Sequence, residues 1–170
     1  MKTKSPYNEL ILIRHAKSSW ADPRLSDWER PLNGRGKRDA PFMGQRLARH
    51  HCLPDRVIAS PAKRARKTAR VICKKLSFAK KKILFDDLLY TADLMDLYRV
   101  VRSCEDTVNR LFVVGHNFVI TDFAVDLTGV HIDNIPTCGI AGIRFPSSSW
   151  STVAPRSGKL LFFDYPKKHR

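Results

Sequence analysis

Three short apolar runs constrain the fold of this 170-residue chain more than anything else in it: Leu10-Ile11-Leu12-Ile13, Val57-Ile58-Ala59 and Leu111-Phe112-Val113-Val114. A strand with one wet face alternates apolar and polar residues, whereas a strand covered on both faces reads as an unbroken apolar run. Long segments with helical period separate the three runs, so the chain predicts an α/β fold with a mainly parallel sheet, helical crossovers and helices on both faces. Such sheets bind ligands beyond the carboxyl ends of their strands.

Chemistry is therefore expected in the residues just past the end of each run. The first run continues into Arg14-His15-Ala16, the second into Ser60-Pro61-Ala62-Lys63-Arg64-Ala65, and the third into Gly115-His116-Asn117. If the strands are neighbours, Arg14, His15, Arg64 and His116 converge on one crevice. Guanidinium forks present planar, bidentate donors suited to phosphoryl oxygens, and a neutral imidazole among them is a nucleophile. The constellation is suited to phosphoryl transfer, in which the protein mainly positions the group and stabilises its charge. Which nitrogen of His15 attacks is open at this level.

Around this core, Lys17, Ser18 and Asn117 are in position either to reach phosphate oxygens or to be merely solvated. Thr68, four residues after Arg64, reads as a support for the helix or the site. No GxxxxGK[ST] motif or carboxylate cluster points to bound magnesium, and Cys52, Cys73, Cys104 and Cys138 are dispersed without zinc spacing. The expectation is metal-free chemistry without a cofactor, and buried free thiols.

Local signals fill in the connections. A polar loop runs from Ser18 to Leu32, long enough to be functional, and a helix is predicted over 33–50. Ser60 is predicted to cap a second helix with Pro61 in its first turn and with Ala65, Ala69, Ile72 and Leu76 as its buried stripe. Ile83-Leu84-Phe85 is a further short strand, Thr91 a candidate cap for a helix through Leu94, Leu97, Tyr98 and Val101, and 117–127 a helix closed by Gly129. Stretches 138–145 and 159–163 are predicted as two edge strands, at least one antiparallel. Phe112, Phe118 and Phe123 are expected in the core. His50, His51, His131 and His169 are expected on the surface, and Lys167-Lys168-His169-Arg170 as a frayed basic end.

The motifs at the strand ends resemble those of the histidine phosphatase superfamily, whose hallmark Arg-His-Gly/Ala stands here as Arg14-His15-Ala16. The segment from Ser60 to Ala69 is similar to that family's second-arginine segment and gives the role to Arg64 rather than Arg66. Val114-Gly115-His116-Asn117 is similar to its second-histidine segment. Lys17-Ser18-Ser19-Trp20, Arg30-Pro31-Leu32, Pro136-Thr137-Cys138 and the small size resemble the SixA-type phosphohistidine phosphatases, which lack large capping insertions. The resemblance implies a phosphoglycerate mutase-like fold, a three-layer histidine phosphatase domain spanning 1–170, and a phosphorylated intermediate on His15.

One departure from the superfamily pattern bears on substrate. Many of its phosphomonoesterases and mutases carry an acidic proton donor where this chain has Tyr90, with Asp86 and Asp87 lying earlier as the remaining candidate donors. An alkoxide leaving group needs a proton in the transition state, whereas a protonated imidazole leaves readily. A metal-independent phosphatase acting on phosphohistidine in a protein is the expected function. The candidate partners are a His-containing phosphotransfer domain or a phosphocarrier, and the alternative is a phosphomonoesterase or mutase for a small phosphate ester.

Lys and Arg number 31 against 16 Asp and Glu, a net charge of +15, which attracts anions of any kind. A nucleic-acid-binding protein is the competing class, motivated by Lys63-Arg64-Ala65-Arg66-Lys67, but no recognised module accompanies that run. The polar N-terminus and the shortness of every apolar run predict a cytoplasmic monomer without membrane association.

Overall fold

In a computed structural model that describes residues 3–170, the three runs become neighbouring strands of one six-stranded sheet. In chain order the elements are β1 (Asn8–Arg14), α1 (Gly34–Arg49), β2 (Arg56–Ala59), α2 (Lys63–Lys75), β3 (Leu84–Phe85), α3 (Leu94–Arg102), β4 (Arg110–Gly115), α4 (Val119–Thr128), β5 (Ile140–Phe145) and β6 (Lys159–Asp164). The strand order is β3-β2-β4-β1-β5-β6. Strands β1 to β4 are mutually parallel, and β5 runs antiparallel to both β1 and β6.

The apolar runs are unbroken because each strand feeds two cores. Leu10 and Leu12 of β1, with Leu111 and Val113 of β4, pack beneath α3 and α4; Ile11, Ile13, Phe112 and Val114 pack on the opposite face beneath α1 and α2. Phe123 lies in the first of these cores and is fully buried, but Phe118 is 75% exposed. The expectation of a core Phe118 fails because α4 begins only at Val119, which leaves Phe118 as the residue that turns the chain into the helix.

Helix α1 is capped by the Asn33 side chain, which accepts from the Gly36 amide at 2.9 Å, and it continues through Pro41. Gly36 permits a close approach: a Cβ there would lie 2.2 Å from the Lys17 carbonyl oxygen, so α1 can pass against the start of the polar loop only without one. Gly129 closes α4 at φ 68, a left-handed cap that favours glycine.

Two predicted caps are corrected. The N-cap of α2 is Ala62, without a side-chain bond, and that of α3 is Asp93 rather than Thr91. Asp93 displaces Thr91 because it forms a reciprocal capping box with Asp96. The basic C-terminus is not frayed: residues 166–169 form a 3-10 turn, His169 pairs with Asp164 at 2.6 Å, and Arg170 pairs with Asp39. Asp39 is 2% exposed, and a carboxylate that deeply buried needs a cation. The four cysteines are free and buried, with burial pushing the thiols of Cys52 and Cys104 up to about 11 and that of Cys73 up to about 12.

Candidate active site

Strand register brings three residues to one line. Arg14 pairs with Gly115 and Ala59 with Val114, so His15, Ser60 and His116 are the first residues past the ends of β1, β2 and β4. The ladders extend one step into them, with the His15 amide donating to the Gly115 carbonyl at 3.0 Å and the Ser60 amide to the Val114 carbonyl at 2.9 Å. His15 and His116 open onto a cavity of about 470 Å³, which Arg14, Arg64, Asp27 and Tyr90 also line.

His15 has a defined tautomer. Its Nδ1 lies 2.8 Å from the Ala16 carbonyl oxygen, which can only accept, so Nδ1 carries the proton and Nε2 keeps its lone pair. Arg64 Nε donates to that Nε2 at 3.3 Å. Burial takes the His15 pKa down to about 3; the bond to Ala16 opposes this, while His116, Arg64 and Arg14 reinforce it. The ring is therefore neutral at physiological pH, with its free nitrogen facing the arginine.

His116 is built the same way in mirror image. Arg64 Nη2 lies 3.4 Å from its Nδ1, which must accept, so the proton sits on Nε2 and is donated to Ser60 Oγ at 2.7 Å. Burial first, then Arg64, lower its pKa to about 4, against an opposing pull from Asp27. The two imidazole centroids are 5.1 Å apart.

Arg64 occupies the centre of the site because α2 starts just past Ala59 and turns its first inward side chain back over the strand ends. Its guanidinium also donates to the Asp27 carbonyl at 2.6 Å and the Asp27 carboxylate at 2.9 Å. Thr68, one turn on, donates to the Arg64 carbonyl at 2.8 Å and accepts from the Ala16 amide at 3.0 Å, tying α2 to the residue after His15. Arg66 points away, its guanidinium 5.3 Å from the Phe85 ring centroid.

Arg14 is anchored from the other side, donating to the Ile135 carbonyl at 2.8 Å and Asn134 Oδ1 at 3.4 Å. Burial, then Arg35, lower its pKa. Asn117 accepts from Thr121 Oγ1 at 2.5 Å and donates to Asn134, so its amide braces the loop that holds Arg14. The Ser18 hydroxyl oxygen accepts from Arg30, and Ser18 lines the cavity together with Lys17 and Asn117.

Asp86 and Asp87 are not among the residues lining this cavity. The Asp86 carboxylate instead accepts from the Leu88 amide at 3.0 Å and caps a short 3-10 turn. Tyr90 does line it, and its hydroxyl donates to Asp27 at 2.7 Å, a bond that raises the phenol's pKa.

Two participants carried no signal of their role in the sequence. Ser60 was expected to cap α2, and it supports His116 instead. Asp27 sits on the Ser18–Leu32 loop, and only that loop's length signalled it. Burial alone would raise the Asp27 pKa, but hydrogen bonds from Tyr90, Arg64 and Arg30 bring it down to about 2. Arg30 also lies 3.2 Å from the Trp20 ring centroid, and both residues line the cavity.

A sheet whose central strand ends deliver two neutral histidines around one arginine defines a class. Residues 10–97 match the histidine phosphatase superfamily (branch 1), and the chain belongs to it. Among relatives, an uncharacterized chloroplastic protein of Arabidopsis thaliana is 30% identical over 157 residues, spanning 88% of this chain and 72% of its own. Among solved structures, the protein histidine phosphatase SixA complexed with tungstate matches with TM-score 0.81 and 18% identity over 95% of this chain and 99% of its own. A candidate phosphohistidine phosphatase SixA from Nakamurella multipartitia matches with TM-score 0.84 and 23% identity over 96% and 99%. The fold is thus the phosphoglycerate mutase-like fold of SixA, and the chain is a phosphatase-type hydrolase of its superfamily.

Proposed function

We propose that this protein hydrolyses phosphohistidine on a protein substrate, such as a His-containing phosphotransfer domain or phosphocarrier, by way of a phosphohistidine on His15. The neutral Nε2 attacks phosphorus as the phosphorus–nitrogen bond to the substrate imidazole breaks, and that imidazole departs with the proton already on its other nitrogen. Water then attacks the phosphoryl group on Nε2 as the phosphorus–nitrogen bond breaks; dihydrogen phosphate leaves with both of the water's protons, and His15 returns neutral with its proton on Nδ1. Arg14 and Arg64 donate to the equatorial oxygens. The arriving dianion raises the pKa of His116, so that its Nδ1 gains a proton and joins the two arginines as a donor to an equatorial oxygen while Ser60 holds Nε2–H.

The observation that carries the substrate assignment is the state of the acid. Among the described residues lining the cavity the one carboxylate is Asp27, and with a pKa of about 2 it is ionised and cannot give a proton to an alkoxide. An imidazole leaving group needs none. The structural likeness to SixA supports the same reading, and the tungstate in one of those structures is a tetrahedral oxyanion bound to that protein. The domain is read as spanning residues 1–170. The cytoplasmic assignment is part of this proposal; among the described residues no helix is long and apolar enough to cross a membrane.

A panel of leaving groups tests the proposal. Phosphohistidine protein and phosphoramidate should turn over far faster than alkyl phosphates, with aryl phosphates between. Tyr90→Glu should raise alkyl-ester activity by about 100-fold, the low end of what a general acid contributes, while phosphohistidine turnover changes much less. Comparable wild-type rates on alkyl phosphate and phosphohistidine would make the protein a small-molecule phosphomonoesterase.

A further inference from the structure

Helix α2 has a second face that the proposed chemistry does not use. Its thirteen residues include seven Lys or Arg and no acid. Arg64 turns into the site, while Lys63, Lys67 and Lys74 are exposed and Arg66 and Arg70 half-buried on the outer side. Among the described residues none of these five forms an ion pair. Several carboxylates elsewhere are clasped: Glu9 by Arg110 and Arg144, Asp164 by Arg46 and His169, Asp39 by Arg170. Helix α2 thus presents a run of cations with no acid on the helix to neutralise them.

This face is also shaped. Between it and the Ser18–Leu32 loop lies a cleft of about 560 Å³, walled by Lys63, Arg66, Lys67 and Arg70 on one side and Leu25 and Trp28 on the other. The single acid on its wall, Glu29, is folded back onto Ser26, whose hydroxyl donates to it at 2.9 Å. Arg66 and Arg70 lie with their guanidinium carbons 5.3 and 5.6 Å from the Phe85 ring centroid, and the Nε of each is buried without a hydrogen-bond partner. Two forks held on an aromatic ring are preorganised for carboxylates.

The face adjoins the catalytic crevice, because the first turn of α2 carries Arg64 inward and Lys63 and Lys67 outward. A phosphoryl group presented from a macromolecule brings that macromolecule's surface against it. Trp28 links the two regions, standing edge-on to Tyr90 at 4.7 Å between centroids. Nucleic acid fits less well, since single strands need free aromatic faces for base stacking and the Phe85 ring is flanked by two guanidinium groups, those of Arg66 and Arg70.

We propose that the outer face of α2 and its cleft form a docking surface for an acidic patch of the phosphorylated protein substrate. The inference rests on the proposed function and adds the partner's chemistry. Opposite charges at such a surface act mainly on encounter and on productive orientation.

The test compares two substrates and two variants of equal charge change. The substrates are phosphoramidate and an acidic phosphocarrier protein chemically phosphorylated on histidine. One variant is Lys63→Glu, Lys67→Glu, Arg70→Glu; the other is Arg49→Glu, Lys159→Glu, Lys167→Glu, on exposed sites away from α2. The α2 variant should lose about 10- to 100-fold in kcat/KM for the phosphoprotein, with a weakened dependence on salt, and keep phosphoramidate turnover, which also reports that it is folded. A Gln set at the same α2 positions should show a smaller loss in the same direction.

Equal losses in the two Glu variants would reduce the effect to net charge and overturn the docking surface. So would unchanged phosphoprotein turnover in the α2 variant together with lost binding of a single-stranded oligonucleotide, which assigns the face to nucleic acid. If the wild type turns over phosphomonoesters but no phosphohistidine protein, the proposed function fails and this inference with it.

Discussion

In the proposed mechanism the state of the nucleophile is decided by single hydrogen bonds. The Ala16 carbonyl fixes the proton on Nδ1 of His15, burial keeps the ring neutral, and the one arginine facing Nε2 is the one that must move to a phosphoryl oxygen. Arg64 holds His15, His116 and two oxygens of Asp27, carbonyl and carboxylate, through the three nitrogens of one fork, with Nη2 shared between His116 and the carboxylate. A lysine offers charge without that geometry, so Arg64→Lys should lower phosphoramidate turnover about 100- to 1,000-fold, the scale of one lost transition-state donor. Arg66→Lys, which keeps charge on the far side of the helix, should leave phosphoramidate turnover within about twofold. Steady-state rates on phosphoramidate check both; similar losses would remove the distinction between the two arginines.

At the level of elements, the sequence was most legible where one residue type had one physical use. The strands covered on both faces and Gly129 after α4 follow from burial and backbone freedom. Caps failed where a side chain had a better offer: Ser60 bonds His116 rather than the helix, and the reciprocal Asp93–Asp96 pair displaces Thr91. Asp27 was hidden because its partners Arg64 and Tyr90 come from two other segments, and no periodicity encodes a contact across 63 residues. The loop carrying Asp27 is held against α1 at Gly36, where the Asn33 amide also donates to the Lys17 carbonyl at 3.0 Å. Gly36→Ala therefore forces the loop and helix apart. It should cost about 1–3 kcal/mol in urea unfolding, as overpacking does, and reduce turnover together with stability. Wild-type values for both would show that the contact relaxes without consequence.

Across the whole molecule, packing two histidines neutral ties stability to pH. Their folded pKa values, about 3 for His15 and about 4 for His116, lie below the ordinary unfolded value of about 6.5. Between these limits the unfolded chain binds more protons than the folded one, so stability rises with pH and is fully present above about 6.5. Thermal melts should fall progressively from pH 6.5 toward pH 4, and replacing His116 with Gln should flatten that slope. A slope unchanged by this substitution would locate the acid sensitivity elsewhere. The basic excess was legible in composition and the run from Lys63 to Lys67 in the sequence, but only the fold shows that, among the described residues, the cations of that run other than Arg64 form no ion pair.

The proposed chemistry turns on phosphorus passing through Nε2 of His15, and the adduct itself can be caught. The protein is mixed rapidly with phosphoramidate, quenched in base to preserve phosphoramidate linkages, and analysed by peptide mass spectrometry together with phosphorus NMR. The expected result is a transient phosphoryl group on His15 at Nε2, absent from a folded His15→Ala protein that no longer turns over. Turnover by His15→Ala, or an adduct on His116 or at Nδ1 of His15, would overturn this mechanism.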